Sequence, residues 1–352
     1  MSSKMWLHAD EVGGEQELFE HFRFIADPGQ ALLRIDRFLI DRLQDTSRTK
    51  IKDAADAGCI FVNDKPVKAN YKVKPGDTVV IKLSFPRKEF ELIPEDIPLD
   101  IVYEDNSLLV INKKPGMVVH PAHGNYTGTL IHALAWRYRE LEMFTREDIR
   151  AGLVHRIDKD TSGLLVIAKT EKAKSHLGRQ FYNKTSHRIY QAIVWGVPKE
   201  PEGTITGSIG RNPKNRQVMT VFPDDSQGKL AVTHYKVLEE LGYISVIECK
   251  LETGRTHQIR VHMKHAGHPL FNDADYGGNM ILKGTTFTKY RQFIENCFRI
   301  LPRQALHAKE LGFVHPETGE WLQFNSELPD DMAEVIRKWR TYLGGRTQEL
   351  QA

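Results

Sequence analysis

His155-Arg156-Ile157-Asp158-Lys159-Asp160-Thr161-Ser162-Gly163-Leu164-Leu165-Val166-Ile167-Ala168-Lys169 runs a charged, turn-forming cluster straight into an apolar segment. The apolar part has the length and residue types of a buried strand. The cluster before it reads as a polar loop at the edge of a sheet, with Asp158 facing a cleft yet rigidly held. Arg150, His155, Arg156 and Lys159 outnumber the second acid, Asp160, so the local charge is expected to favour an ionised Asp158. Such a carboxylate serves as a nucleophile or general base. The plainer reading is a side chain that caps backbone N–H groups, and a short match alone favours it.

Two stretches downstream change the balance. In Arg188-Ile189-Tyr190-Gln191-Ala192-Ile193-Val194-Trp195-Gly196 a strand places Ile189, Gln191, Ile193 and Trp195 on one face and Tyr190, Ala192 and Val194 on the other. A tyrosine face offers a stacking platform for a base drawn out of its helix; alone, it is more often a core residue. In Thr253-Gly254-Arg255-Thr256-His257-Gln258-Ile259-Arg260-Val261-His262 a glycine turn leads into the start of an amphipathic helix. A guanidinium such as that of Arg260 can orient a carboxylate and keep it charged.

The chain has 352 residues, 40% hydrophobic and 27% charged, which suits a globular protein of two or three domains. It lacks an eighteen-residue apolar run and an apolar signal core, so a cytoplasmic protein without a membrane span is expected. Cys59, Cys249 and Cys297 are scattered and form no CxxC, which reads as reduced thiols. Net charge is only +3, but residues 31–83 hold eleven Lys/Arg against seven Asp, an excess of +4 that leaves about −1 for the rest. A localised basic excess fits a small nucleic-acid-binding module.

That module has a readable outline. Apolar spacing predicts a helix from Leu33 to Leu43 and a second over 48–58, with Ser47 as N-cap and Gly58 at its end. Short strands at 60–62, 65–67 and 78–83 follow, joined by turns at Asn63-Asp64 and Pro75-Gly76-Asp77. Residues 1–30, with Asp10-Glu11-Val12-Gly13-Gly14-Glu15, read as a leader with a short strand near 21–25. Pro86, Pro94 and Pro98 mark a linker over 85–98. A second domain over 99–345 opens with strands at 101–104 and 107–112 and carries helices at 129–138, 171–182 and 289–298; residues 346–352 form a tail. Strands with helices packed on them predict an α+β fold.

The quoted motifs, in this order, resemble those of RluA/RluD-type pseudouridine synthases. Gly116-Met117-Val118-Val119-His120-Pro121 and Arg303-Gln304-Ala305-Leu306-His307-Ala308 add flanking matches, and Gly58-Cys59-Ile60-Phe61-Val62-Asn63-Asp64-Lys65-Pro66-Val67-Lys68 resembles the strand–turn–strand of an S4 RNA-binding domain. The resemblance covers about residues 30–325. It implies a mainly antiparallel mixed-sheet catalytic domain preceded by a small S4-like α/β domain (31–84). It also implies Asp158 as the residue that does the chemistry, Tyr190 against the uracil, Arg260 paired with Asp158, and Arg156 in the space left by a flipped base. Arg37, Arg48, Lys50, Lys52 and Lys72 become candidate RNA contacts. The expected partner is large-subunit ribosomal RNA, with tRNA as the alternative substrate and a non-catalytic ribosome-assembly factor as the alternative role. No cofactor or metal is expected, because the isomerisation is redox-neutral and the chain has no phosphate-binding glycine loop. The rival is a metal site among His257, His262, His265 and His268, opposed by the lack of a nearby cysteine or HExxH. Two departures stand out. Phe271-Asn272-Asp273-Ala274-Asp275-Tyr276-Gly277-Gly278 differs from the family's usual Gly-Asp-Pro wording while keeping the Asp and Tyr-Gly, and 279–301 is longer than expected. Neither is expected to bear on Asp158, Tyr190 or Arg260.

Overall fold

The computed structural model describes residues 18–29, 31–43, 46–83, 92–121, 124–145, 150–215, 217–222 and 227–349. The chain divides into two compact units, Met1–Glu91 and Leu92–Ala352. The acidic run 10–15 and much of the 85–98 linker lie outside the described residues.

In the first unit β1 (Phe19–Ile25), β2 (Leu33–Arg34), α1 (Ile35–Ile40), α2 (Arg48–Asp56), β3 (Ile60–Val62), β4 (Lys65–Pro66), β5 (Lys72–Val73) and β6 (Thr78–Leu83) follow in order. β1, β6, β3 and β4 form one antiparallel sheet and β2 pairs with β5. The Ser47 hydroxyl accepts the Lys50 N–H and starts α2. Ile51, Ala54 and Ala55 turn inward from α2 onto Ile35, Phe38, Leu39, Ile60, Val79 and Ile81. Asn63 and Asp64 have φ of 47° and 63°, the two left-handed residues that a tight hairpin between β3 and β4 requires. The Asp77 carboxylate ties the next turn by accepting from Lys74 N–H, Asn63 Nδ2 and Tyr71 Oη.

The second unit contains β7 (Ile101–Glu104), β8 (Leu108–Lys113), α3 (Leu130–Arg137), α4 (Glu142–Thr145), β9 (Ser162–Ala168), α5 (Glu171–Tyr182), β10 (His187–Trp195), β11 (Glu202–Arg211), β12 (Met219–Phe222), β13 (Lys229–Leu241), β14 (Ile244–Leu251), α6 (Gln258–His265), α7 (Thr288–Ile300), β15 (Leu306–Val314), β16 (Trp321–Asn325) and α8 (Asp330–Glu349). The strands make one mixed sheet in the order β12-β11-β13-β14-β10-β15-β9-β8-β7, with β16 on β15. Among the described residues its pairs are antiparallel except β9 with β15, giving an α+β fold dominated by antiparallel pairing.

β9 is buried at every position and lies between β8 and β15, which explains its unbroken apolar sequence. The Asp158 loop therefore enters an interior strand, as its apolar continuation predicts. Gly163 sits at φ 112° against Ala308 of β15, where a Cβ would come within 2.3 Å of the Ala308 carbonyl oxygen. No other residue permits the two strands to approach so closely there.

β10 divides its side chains as its alternation predicts. Tyr190, Ala192 and Val194 join the core with Leu165, Ile167 and the α6 residues Ile259 and Met263. Ile193 and Trp195 join Tyr290 and Ile294 of α7 and Val335 and Trp339 of α8. The long 279–301 segment thus supplies a helix to the sheet face opposite α6. Phe293 of α7 stacks on Tyr342 of α8 with ring centroids 4.7 Å apart. Among the described residues no helix is long and apolar enough to cross a membrane.

Candidate active site

A cleft of about 380 Å³ opens between the loop before β9, the start of β10, the C-terminal end of α5, and the turn from β14 into α6. Asp158, Tyr190, Arg260 and Arg156 all line it. Asp158 and Arg260, 102 residues apart, meet with Arg260 Nη1 3.4 Å from Asp158 Oδ2.

The Asp158 loop is tied from several directions. Its own carbonyl accepts the Thr161 N–H. The Lys159 carbonyl accepts from Gly116 N–H and from Lys113 Nζ. Lys113, 1% exposed, also donates to the carbonyls of Lys114 and Met117. Burial pulls its pKa down to about 7, yet three acceptors demand three N–H donors, which only the ammonium supplies. Arg303 closes the far side: it forks onto Asp331 and donates to the Asp160 carbonyl.

The charges nearest Asp158 in sequence turn elsewhere. His155 accepts the Val166 N–H, stacks on Phe181 at 4.3 Å, and is held to a pKa of about 3 by burial and the nearby Arg188 charge, so it is neutral. Arg156 meets His120 and Lys159 meets Asn125. Among the described residues the ion pair on Asp158 comes instead from Arg260, while His257 Nε2 lies 3.9 Å from its Oδ1.

Arg260 is 5% exposed and bound to three carboxylates. Nε and Nη2 fork onto Asp273 at 2.7 Å each, Nη2 also reaches Asp275 at 2.7 Å, and Nη1 extends to Asp158. Burial works against its charge, but the Asp273, Asp158 and Asp275 carboxylates hold the guanidinium pKa well above its usual value. The 271–278 turn thus supplies Arg260's principal anchors, Asp273 and Asp275. A Cβ on Gly278 would lie 1.8 Å from the Leu270 carbonyl oxygen, so the turn closes only around glycine.

The same turn brings Tyr276 under the guanidinium, its ring 4.9 Å from Arg260 Cζ. The Tyr276 hydroxyl accepts the Met219 N–H and lies 2.8 Å from His257 Nδ1. A backbone amide can only donate, so the hydroxyl proton goes to Nδ1. Burial lowers the His257 pKa and Tyr276 is raised to about 12, so both are neutral. The remaining imidazole proton is then on Nε2, which faces Asp158.

Tyr190 is 8% exposed, and its hydroxyl makes no hydrogen bond among the described residues. Burial raises its pKa, so it stays a neutral phenol. Arg188, missed in the sequence, lies two positions earlier on β10 and therefore on the Tyr190 face; strand alternation is the signal that would have found it. The four histidines of the rival reading part company. His262 is buried against Thr233, His265 is exposed, His268 meets the Trp195 carbonyl, and His257 faces Tyr276 and Asp158.

In the first unit Arg37, Lys52 and Lys72 are exposed and Lys50 is half-buried. Arg48, with Arg34, pairs with the buried Asp36.

Comparison with known proteins bears on this geometry. Residues 107–265 match the RNA pseudouridylate synthase family, and residues 33–79 match the S4 domain. An uncharacterised RNA pseudouridine synthase of Chlorobaculum parvum is 47% identical, over 89% of this chain and 96% of that protein. Ribosomal large subunit pseudouridine synthase D of Neisseria meningitidis is 43% identical, over 88% of this chain and 80% of its own. The fold is shared with human RNA Pseudouridylate Synthase Domain Containing 4, at a TM-score of 0.52 and 22% identity, over 68% of this chain and 93% of that one. The chain belongs to the RNA pseudouridylate synthase family, and it is a pseudouridine synthase with an N-terminal S4 domain.

Proposed function

We propose that the enzyme converts a uridine of large-subunit ribosomal RNA to pseudouridine, with Asp158 acting at the ribose of a flipped-out nucleotide. The observation that carries this reading is the meeting of Asp158 and Arg260 in one cleft beside Tyr190. The reaction must break the N-glycosidic bond, rotate the uracil and join C5 to C1′. A uridine stacked in a helix cannot do so, hence the need to extrude it. Arg260, anchored by Asp273 and Asp275, positions Asp158 at C1′ or at a sugar proton. His257 presents an N–H to the same carboxylate. Tyr190 stacks on the uracil as a neutral phenol, so its part is placement, not proton abstraction. Arg156, exposed at the mouth, fills the gap in the RNA helix.

The large-subunit target rests on the relative from Neisseria meningitidis, which carries that target in its name, and on the S4 domain. Arg37, Arg48, Lys50, Lys52 and Lys72 supply cations for the RNA backbone. The test is pseudouridine mapping, by chemical adduct and primer extension, on transcribed large-subunit rRNA. Wild type is expected to form pseudouridine. Asp158→Asn is expected to bind the RNA as well as wild type but to form none; turnover by that variant near the wild-type rate would end the assignment.

A further inference from the structure

Arg188 stands in the wall of the same cleft, and among the described residues it has no counter-charge. It is 8% exposed, and among the described residues its side chain makes neither a hydrogen bond nor an ion pair; its Nε is fully buried and unpartnered. The Phe181 ring lies 5.6 Å from its Cζ. Gly254, across from it, has no side chain; a Cβ there would lie 3.1 Å from Arg188 Nη1. The acids of the cleft are engaged elsewhere: Asp158 with Arg260, and Glu252 with His234 at 2.7 Å. The other charged groups lining it, Arg156, Lys184 and Arg255, have the same sign as Arg188.

A buried guanidinium with no acceptor is costly to a folded chain, and burial already lowers the Arg188 pKa. Removing one partner of an ion pair destabilises because the remaining charge stays buried; here the fold itself leaves the charge in that state. The missing partner must be an anion that enters through the cleft. It has to be planar or tetrahedral with several acceptor oxygens, since the guanidinium fork offers several donors.

We propose that Arg188 is a phosphate-binding residue of the cleft, taking a phosphodiester of the RNA strand next to the nucleotide held by Tyr190. The placement follows from the strand: Arg188 and Tyr190 are two positions apart on β10 and share a face, so a base on the tyrosine carries its backbone towards the guanidinium. This rests on the function proposed above.

Arg188→Met and Arg188→Gln test it against wild type, with three measurements: melting temperature, affinity for transcribed large-subunit rRNA over a range of salt, and pseudouridine formation on that transcript. Both variants are expected to melt at or above the wild-type temperature. Both are expected to bind the transcript about tenfold more weakly, with a salt slope shallower by about 0.7, the mark of one lost phosphate contact. A lower melting temperature with an unchanged slope makes Arg188 a structural residue and overturns the proposal. So does unchanged affinity. Inorganic phosphate serves as a further probe; if it stabilises wild type as strongly as the transcript does while the variants keep the wild-type slope, the site takes free phosphate and the strand assignment falls. Wild type that forms pseudouridine, beside variants indistinguishable from it, sinks this inference alone. Wild type that forms none, beside variants with a shallower slope, sinks the proposed function and leaves the anion site.

Discussion

Arg260 and Arg188 line one cleft and are buried to nearly the same degree, yet their surroundings are opposite. Arg260 has three carboxylates for one positive charge. Arg188 has none. The side supplied by α6 and the 271–278 turn finds its acceptors within the fold, so under the proposed function it holds Asp158 without reorganising during the reaction. The side supplied by β10 is incomplete, which suits a group whose partner comes and goes. Burial alone therefore does not distinguish a scaffold cation from a ligand-seeking one; the inventory of acceptors does.

The largest test of this contrast is Arg260→Met. It strands Asp273, which is fully buried, and by analogy with other broken buried ion pairs it should cost about 3–5 kcal/mol, read by chemical denaturation, and abolish turnover. The same change at Arg188 is expected not to lower stability at all. Equal losses at the two positions would erase the contrast.

Acid offers a second probe. His155, beside Arg188, has a folded pKa of about 3, and burial holds His262 and His307 at about 4. All three lie below the ordinary 6.5. The unfolded chain takes up protons below that value while the folded chain resists, so their contribution is whole above about pH 6.5 and is lost as pH falls towards 4. Each costs about 1.4 kcal/mol per pH unit in that window. Denaturation midpoints taken over this range should fall, and His155→Gln, which can still accept the Val166 N–H, should make the fall shallower. A profile unchanged by the substitution would mean that His155 is not neutral against Arg188.

The smallest effect sharpens the Arg260 side. Tyr276→Phe keeps the ring beneath the guanidinium but removes the hydroxyl that fixes the His257 tautomer. The loss of stability should be about 1 kcal/mol, and kcat should fall about tenfold with little change in KM. An unaltered kcat would remove His257 from the line of groups that aim at Asp158.

Much of this was legible in the sequence. Strand alternation put Tyr190, Ala192 and Val194 on one face, helical spacing located α2 and its Ser47 cap, and the helix expected at 289–298 appears as α7. The motif match brought Asp158 and Arg260 together across 102 residues. What escaped were groups whose partners are set by tertiary closure. The cations beside Asp158 in sequence suggested a local field, but a turn fans neighbouring side chains apart, and His155 is half-buried and uncharged. Asp273 and Asp275 sit in an irregular turn with no periodicity to reveal that they face a helix residue. Arg188 looked like one more polar strand residue, because a missing partner leaves no mark in a sequence.

Lys113 has a consequence of its own. Three carbonyl oxygens converge on its ammonium where the 114–117 loop meets the Asp158 loop, an arrangement that a potassium ion could otherwise fill. Here the cation is tethered to the polypeptide. It cannot be diluted away or exchanged for sodium, so the junction keeps its shape across the changes in ionic strength that alter the grip on RNA.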